Sequence, residues 1–243
     1  MQKLLIIGGC TAVGKSAFAL NLSKFLNMEI ISADSVQVYK GIEVATSKPT
    51  KQEESICPHH LINIVSPFET FNAFDFVNLA KKAIGDIAKR GKLPVIVGGT
   101  GLYIDSLIYG FDFVNKTKNP VEFDFKFIFL EQNRQELYKK IDARVDKMLQ
   151  NGLVQEVKKL REIGLNMDCQ CMQAIGYKEI WQYLEGEIEY DEAVELIKRN
   201  TRNYAKRQIT WFGHNDCERW DISDQEKLTN YLVDLYPEYH KKA

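Results

Sequence analysis

"KLLIIGGCTAVGKSAF", residues 3–18, runs an apolar segment into a glycine turn and then into Lys15-Ser16. Gly9, four residues, then Gly14-Lys15-Ser16 fit the G-x-x-x-x-G-K-[ST] template of a phosphate-cradling loop. In such a loop the backbone N–H groups and a helix N-terminus face an anion and the lysine adds a point charge. The serine hydroxyl can reach a bound magnesium ion. The position suits the mechanism, because the apolar run reads as a buried strand and "KSAFALNLSKFLN" (15–27) as the helix it feeds. The pattern names no nucleotide. Any diphosphate would satisfy these groups.

The same alternation continues outward. "MEIISAD" (28–34) reads as a short apolar strand ending in Asp34, and "NAFDFVNLAKKAIGDIAKRG" (72–91) as a helix stopped by Gly91. "LPVIVGGTG" (93–101) is a continuous apolar strand breaking into a glycine turn, and "FKFIFLEQ" (125–132) reads as another strand. Strands alternating with helices imply βαβ units and a parallel sheet, so the expected fold is α/β, a phosphate-loop nucleotide-hydrolase-like parallel sheet flanked by helices. Beyond it the pattern is helical. The expected organisation is a core over 1–130 holding the phosphate site, and a helical region over 131–243 that completes the core. One last amphipathic segment is expected in "QEKLTNYLVDLY" (225–236).

The 243 residues carry 32 Lys and Arg against 33 Asp and Glu, a formal net charge of −1, so no global field recruits a polyanion and any such partner needs a local patch. Five cysteines, at 10, 57, 169, 171 and 217, are odd in number and form no C-x-x-C pair, so reduced structural thiols are expected rather than a disulfide framework or a zinc site. No stretch has the length of a membrane span and the N-terminus has no signal-peptide pattern. A cytoplasmic monomer without membrane contact is the expectation.

Three further segments carry chemistry. Asp34 leaves the carboxyl end of a strand, the edge where open α/β sheets bind ligands. Its carboxylate could bind magnesium through water, accept a substrate proton, or merely cap the following turn. In "VGGTGLY" (97–103), the glycines allow close backbone approach and Thr100 offers a hydroxyl at a helix start. In "KRNTRNYAKRQITWF" (198–212), Lys198, Arg202 and Lys206 recur at i, i+4, flanked by Arg199 and Arg207 and interleaved with Tyr204, Trp211 and Phe212. Such a stripe suits a polyanion with stacking bases, or is a solvated helix face.

In their order, "GGCTAVGKS", "ISADSVQVYKGIEVATSKPT", "PHHLINIVSP", "LPVIVGGTGLY", "MQAIGYKEIWQYLEGEI" and "TRNYAKRQITWF" resemble the tRNA dimethylallyltransferases, also called tRNA isopentenyltransferases, over most of residues 3–212. The resemblance implies transfer of a dimethylallyl group from dimethylallyl diphosphate to N6 of the adenosine at position 37 of tRNA, with Mg2+ as cofactor. Asp34 then looks like the general base, with Thr100 and Lys15 beside the reacting groups. Gly9, Cys10, Thr11, Ala12, Val13, Gly14, Lys15 and Ser16, with Arg207, look like the diphosphate site, Ser16 facing the metal. Asp34, Ser35, Val36 and Gln37 resemble the stretch that takes the target adenine. Gln173, Lys178, Lys198, Arg202, Lys206, Gln208 and Trp211 look like tRNA contacts.

The chain also departs from that family. Cys10 stands for a usual Pro, Glu43 for Asp and Ala45 for Gly. After "LIYGFDF" only "VNKTKNPVE" (114–122) precedes the next strand, where the family normally continues with several tens of residues including a basic tRNA-contacting block. Three other readings stay open: an adenylate isopentenyltransferase acting on free nucleotides, against which "YAKRQITWF" stands; a small-molecule phosphate-loop kinase; and an inactive RNA-binding remnant.

Overall fold

A computed structural model of the protein describes residues 1–112, 117–118 and 122–241. The chain runs β1 (Gln2–Gly9), α1 (Lys15–Leu22), β2 (Met28–Ala33), α2 (Lys51–Ile56), β3 (His59–His60), α3 (Ala73–Lys89), β4 (Leu93–Gly98) and α4 (Gly101–Tyr109). It continues with β5 (Phe111–Asp112), β6 (Thr117–Lys118), β7 (Phe123–Glu131), α5 (Arg134–Gln150), α6 (Leu153–Glu162), α7 (Tyr177–Leu184), α8 (Tyr190–Phe212), β8 (Glu218–Asp221) and α9 (Gln225–Leu235). The polar link expected over 114–122 lies outside the described residues except at 117, 118 and 122.

Six strands form one sheet in the order β3-β2-β4-β1-β7-β8. Every pairing in it is parallel. Both faces of a parallel sheet are covered, which is why its strands read as unbroken apolar runs. Successive side chains of β1 therefore enter different cores: Leu4 and Ile6 pack with α3, α4 and the helices after α5, and Leu5 and Ile7 with α1, the first half of α5 and α9. Residues after 131 thus complete both cores.

Two expectations change in detail. The first helix stops at Leu22 rather than near residue 27, and Leu26 instead forms a bridge with His240. Residues 218–221, in a tail that reads as merely polar, form β8 on the sheet edge beside β7. Its alternately half-exposed pattern follows from that edge position, with Arg219 ion-paired to Glu131 at 2.9 Å. Among the described residues no helix is long and apolar enough to cross a membrane.

The register levels the strand ends. Gly8 of β1 pairs with Gly98 of β4, and Ala33 of β2 pairs with the same Gly98. The phosphate loop, Asp34 and Thr100 consequently leave the sheet side by side.

Candidate functional site

A cavity of about 300 Å³ opens at this edge, lined by Thr11, Asp34, Ser35, Val36, Ala45, Thr46, Arg144, Met148, Gln173, Tyr177, Tyr204 and Arg207 among others. The phosphate loop reaches it through Thr11. Lys15 turns its ammonium back onto the Cys10 carbonyl at 2.8 Å, a bond internal to the loop. Burial pulls its pKa down to about 8, opposed by the charges of Cys10 and Asp34. A cation held in that state gains from the arrival of an anion, which would restore its charge.

Asp34 follows β2 directly. Its Oδ1 accepts from the N–H groups of Val36 (2.9 Å) and Gln37 (3.2 Å), so it does cap the turn. Oδ2 has no hydrogen-bond partner among the described residues, and the side chain lines the cavity. One oxygen orients the carboxylate while the other faces the space where a ligand would sit. Thr100 braces this turn by accepting from the Ser35 N–H at 3.2 Å, and its own N–H donates to the Ala33 carbonyl at 3.2 Å.

Arg144 is the residue that sequence reasoning passed over. Helix α5 changes cores along its length, with Leu137 and Ile141 in one and Val145 and Met148 in the other, and Arg144 sits where it crosses. One guanidinium nitrogen donates to Thr11 Oγ1 in the phosphate loop at 3.1 Å, and another to the Ala45 carbonyl at 3.3 Å. Nε is buried without a partner. Burial lowers the pKa of Arg144, while Asp34 raises it. The readable signal was a charged residue set against the apolar positions 137, 141, 145 and 148.

The loop over 43–47 forms the opposite wall and is held from outside. Glu156 accepts from the N–H groups of Glu43 (2.6 Å) and Val44 (2.8 Å) and from the Tyr177 hydroxyl (3.0 Å). Burial, reinforced by the Glu156 charge, pushes the Tyr177 phenol far up, so it stays a neutral donor. Tyr204 closes the cavity from α8 beside the Thr100 and Gln208 side chains. Burial first, then the Asp34 charge, pushes its pKa up to about 12.

Several expected tRNA contacts are occupied within the protein. Gln208 is only 6% exposed; its Oε1 accepts from the Thr11 N–H at 2.8 Å and its Nε2 donates to the Gly99 carbonyl at 2.8 Å. A Cβ at Gly99 would stand 2.2 Å from that Nε2, so any larger residue there would push Gln208 off this pair of bonds. Gln37 accepts from the Ser32 hydroxyl (2.7 Å) and donates to the carbonyls of Thr46 (2.9 Å) and Ser47 (3.3 Å). Lys198 pairs with Asp146 at 2.8 Å and Arg202 with Asp142 at 2.5 Å, because acids one turn apart on α5 face basic residues one turn apart on α8. The stripe, which has no acid between Lys198 and Arg207, is partly neutralised across the helix pair.

Other residues remain accessible. Lys178, Lys206 and Arg207 are exposed, and the Arg207 guanidinium lies over the Tyr204 ring, 5.7 Å from its centroid. Gln173 lines the cavity while donating to the Met167 carbonyl. Half-exposed Trp211 donates to Asp105 at 2.7 Å. Ser16 faces a separate cavity of about 310 Å³ beside α1, with Ser32, Gln37 and Lys48.

Comparison with known proteins gives one consistent result. The family model described as IPP transferase matches residues 37–122 and 112–215. The tRNA dimethylallyltransferase of Anoxybacillus flavithermus is 37% identical, with 96% of this chain and 95% of that protein covered. That of Caldanaerobacter subterraneus subsp. tengcongensis is 39% identical, covering 98% and 97%. The first alignment spans 297 positions against a 243-residue chain, so the relative carries a stretch that this chain lacks. Among solved structures, a full-length tRNA isopentenylpyrophosphate transferase from Bacillus halodurans superposes with a TM-score of 0.90 at 35% identity, covering 98% of both chains. A eukaryotic dimethylallyltransferase described as acting on tRNA superposes with a TM-score of 0.84 at 26% identity, covering 100% of this chain and 81% of that one.

Proposed function

The chain belongs to the IPP transferase family, and from that premise we propose that it transfers a dimethylallyl group from dimethylallyl diphosphate to N6 of an adenosine beside the anticodon of tRNA, at position 37. The observation that carries this reading is one cavity lined by Thr11 of the phosphate loop, by the Arg144 guanidinium bonded to it and by the Asp34 carboxylate, one oxygen of which is held by turn amides. A kinase site would need the same anion cradle, but the family relation favours an allylic donor.

The C1–O bond of the allylic diphosphate breaks and the diphosphate leaves with the bonding electrons. Lys15, Arg144 and the loop amides would meet the charge that develops on it, a preorganised electrostatic site of the kind that contributes most in enzymes. The N6 lone pair forms the new C–N bond, and the N6 proton passes to Asp34 Oδ2. Oδ1, held by Val36 and Gln37, keeps the carboxylate aimed. The adenine must leave the anticodon stack to reach this cavity. Lys178 and Lys206, with Gln173 at the mouth, are exposed groups that would meet tRNA, while Arg207, which lines the cavity, would meet the diphosphate.

Among the described residues no group of three His, Cys, Asp or Glu side chains could hold a metal. A magnesium ion bound chiefly through a diphosphate would need no such cluster; Ser16 is the loop side chain that would hold it, and it faces the cavity beside α1 rather than the one with Asp34. When bound, the ion would offset charge on the departing diphosphate.

Labelled dimethylallyl diphosphate offered to tRNA with an A-rich anticodon loop, to AMP and to ADP in parallel tests the reading. Labelling of tRNA well above both nucleotides is expected; equal or greater labelling of a free nucleotide would establish the adenylate-directed activity instead.

A further inference from the structure

The tail after Gly213 contributes to none of the chemistry above, yet it reaches the phosphate loop. That loop holds an unusual backbone: Ala12 has φ 65° and Gly14 φ 111°, both left-handed. An L-alanine stays in that region only where its surroundings over-determine it. On one side the Thr11 N–H is fixed by donating to the Gln208 side-chain oxygen Oε1. On the other, a Cβ built on Gly14 would lie 3.7 Å from Cγ1 and 3.8 Å from Cδ1 of Ile222. Ile222 therefore stands beside the open face of the glycine at the loop's end, about one methyl group away, and packs against the same core as Val13.

Ile222 is itself well anchored. It opens a 3-10 turn, Ile222–Asp224, capped by Asp221, whose Oδ1 accepts from the Ser223 N–H at 2.8 Å and hydroxyl at 2.7 Å. Before the turn, β8 is fixed in register to β7, and after it α9 buries Leu228 and Leu232 in the core beneath α1. Strand, cap and helix bring one apolar side chain to the phosphate loop.

We propose that Ile222 is a positioning residue for the donor: the C-terminal β8-turn-α9 segment holds Gly14, and so the loop amides, in the anion-binding conformation before the diphosphate arrives. This rests on the reading that the loop takes the donor diphosphate. Truncating Ile222 leaves donor chemistry untouched and lets the loop sample conformations that do not bind. Apparent affinity then falls by the fraction of protein still competent.

Calorimetric titration of the full chain with inorganic pyrophosphate, beside steady-state kinetics with varied donor, tests it. Ile222→Ala is expected to weaken pyrophosphate binding roughly five- to ten-fold and to raise the donor KM by a similar factor, with kcat nearly unchanged, as loss of competent population requires. Ile222→Val is expected to restore most of the affinity, and it serves as the graded variant should the alanine form fold poorly. Leu228→Ala, in the same core but away from the loop, is expected to lower the melting temperature while leaving pyrophosphate affinity alone. Parental affinity in Ile222→Ala, or an equal loss in Leu228→Ala, overturns the proposal. A parent protein that does not bind pyrophosphate removes the donor-site reading itself, and this inference with it.

Discussion

Strand β2 carries a carboxylate at each end, and the two are treated in opposite ways. Glu29, near its start, is 3% exposed and saturated: Arg90 donates from two nitrogens at 2.6 and 3.2 Å, Lys92 donates at 2.9 Å, and His60 Nε2 lies 2.7 Å away. Burial pushes its pKa up, but these hydrogen bonds outweigh that and hold it at about 2. Asp34, just past the other end, spends one oxygen on two turn amides and has no ion pair among the described residues, although Lys15 and Arg144 are near. Those cations are bonded to neutral oxygens of Cys10, Thr11 and Ala45 instead. A charge cluster that serves stability satisfies itself. One that serves a ligand keeps its charges apart, at a cost met by the rest of the fold.

The largest expected effect is at the open end. Asp34→Asn keeps the cap acceptor and the cavity shape but cannot take a proton, so turnover should fall by roughly 10² to 10⁴ fold with pyrophosphate binding and melting temperature near the parent's. Near-normal turnover would reduce Asp34 to the cap that its Oδ1 already is.

At the saturated end the effect should move to stability. Glu29→Gln leaves Arg90 and Lys92 without their counter-charge, and because those partners reach solvent the loss at neutral pH should be about 2 kcal/mol, read by denaturant titration. Since the folded carboxyl has a pKa of about 2, below its ordinary 4.5, its contribution is full above pH 4.5 and fades as pH falls toward 2. The parent and variant stability curves should therefore converge in acid, and curves that run parallel would remove the carboxylate from the explanation.

A smaller effect is expected from Lys15. As pH rises through about 8 the free protein loses this charge, so pyrophosphate affinity should decline by up to about ten-fold per pH unit, and Lys15→Ala should abolish that dependence. An unchanged slope in the alanine variant would assign the titration to another group.

The smallest effect should come from the basic stripe. Because Lys198 and Arg202 already face Asp146 and Asp142, replacing both with alanine should leave the salt dependence of tRNA binding almost unaltered, whereas Lys206→Ala should flatten it by a little under one unit of slope. If the double variant flattens the slope by nearly two units, tRNA phosphates displace the aspartates on binding.

The phosphate loop, Asp34 and Thr100 were legible because each is a local event: a glycine turn or strand end whose chemistry sits within a few residues. The alternation of strands and helices likewise announced the parallel sheet, since burial on both faces forces continuous apolar runs. Arg144 was not legible, for its role depends on α5 crossing between two cores. Gln208 read as part of a basic surface until the fold turned it inward onto Thr11 and Gly99. The four residues of β8 were too short and too polar to announce a strand; only the free edge of β7 makes them one.

What the sequence by itself determined is the set of local parts: an anion cradle between a strand and a helix, a carboxylate at the next strand end, and a family relation spread along the chain. Only the tertiary structure decided which charges are already spent and which stay open. Charge neutralisation and burial act through space at distances of a few ångströms, between residues such as Arg202 and Asp142 or Thr11 and Arg144 that stand far apart along the chain.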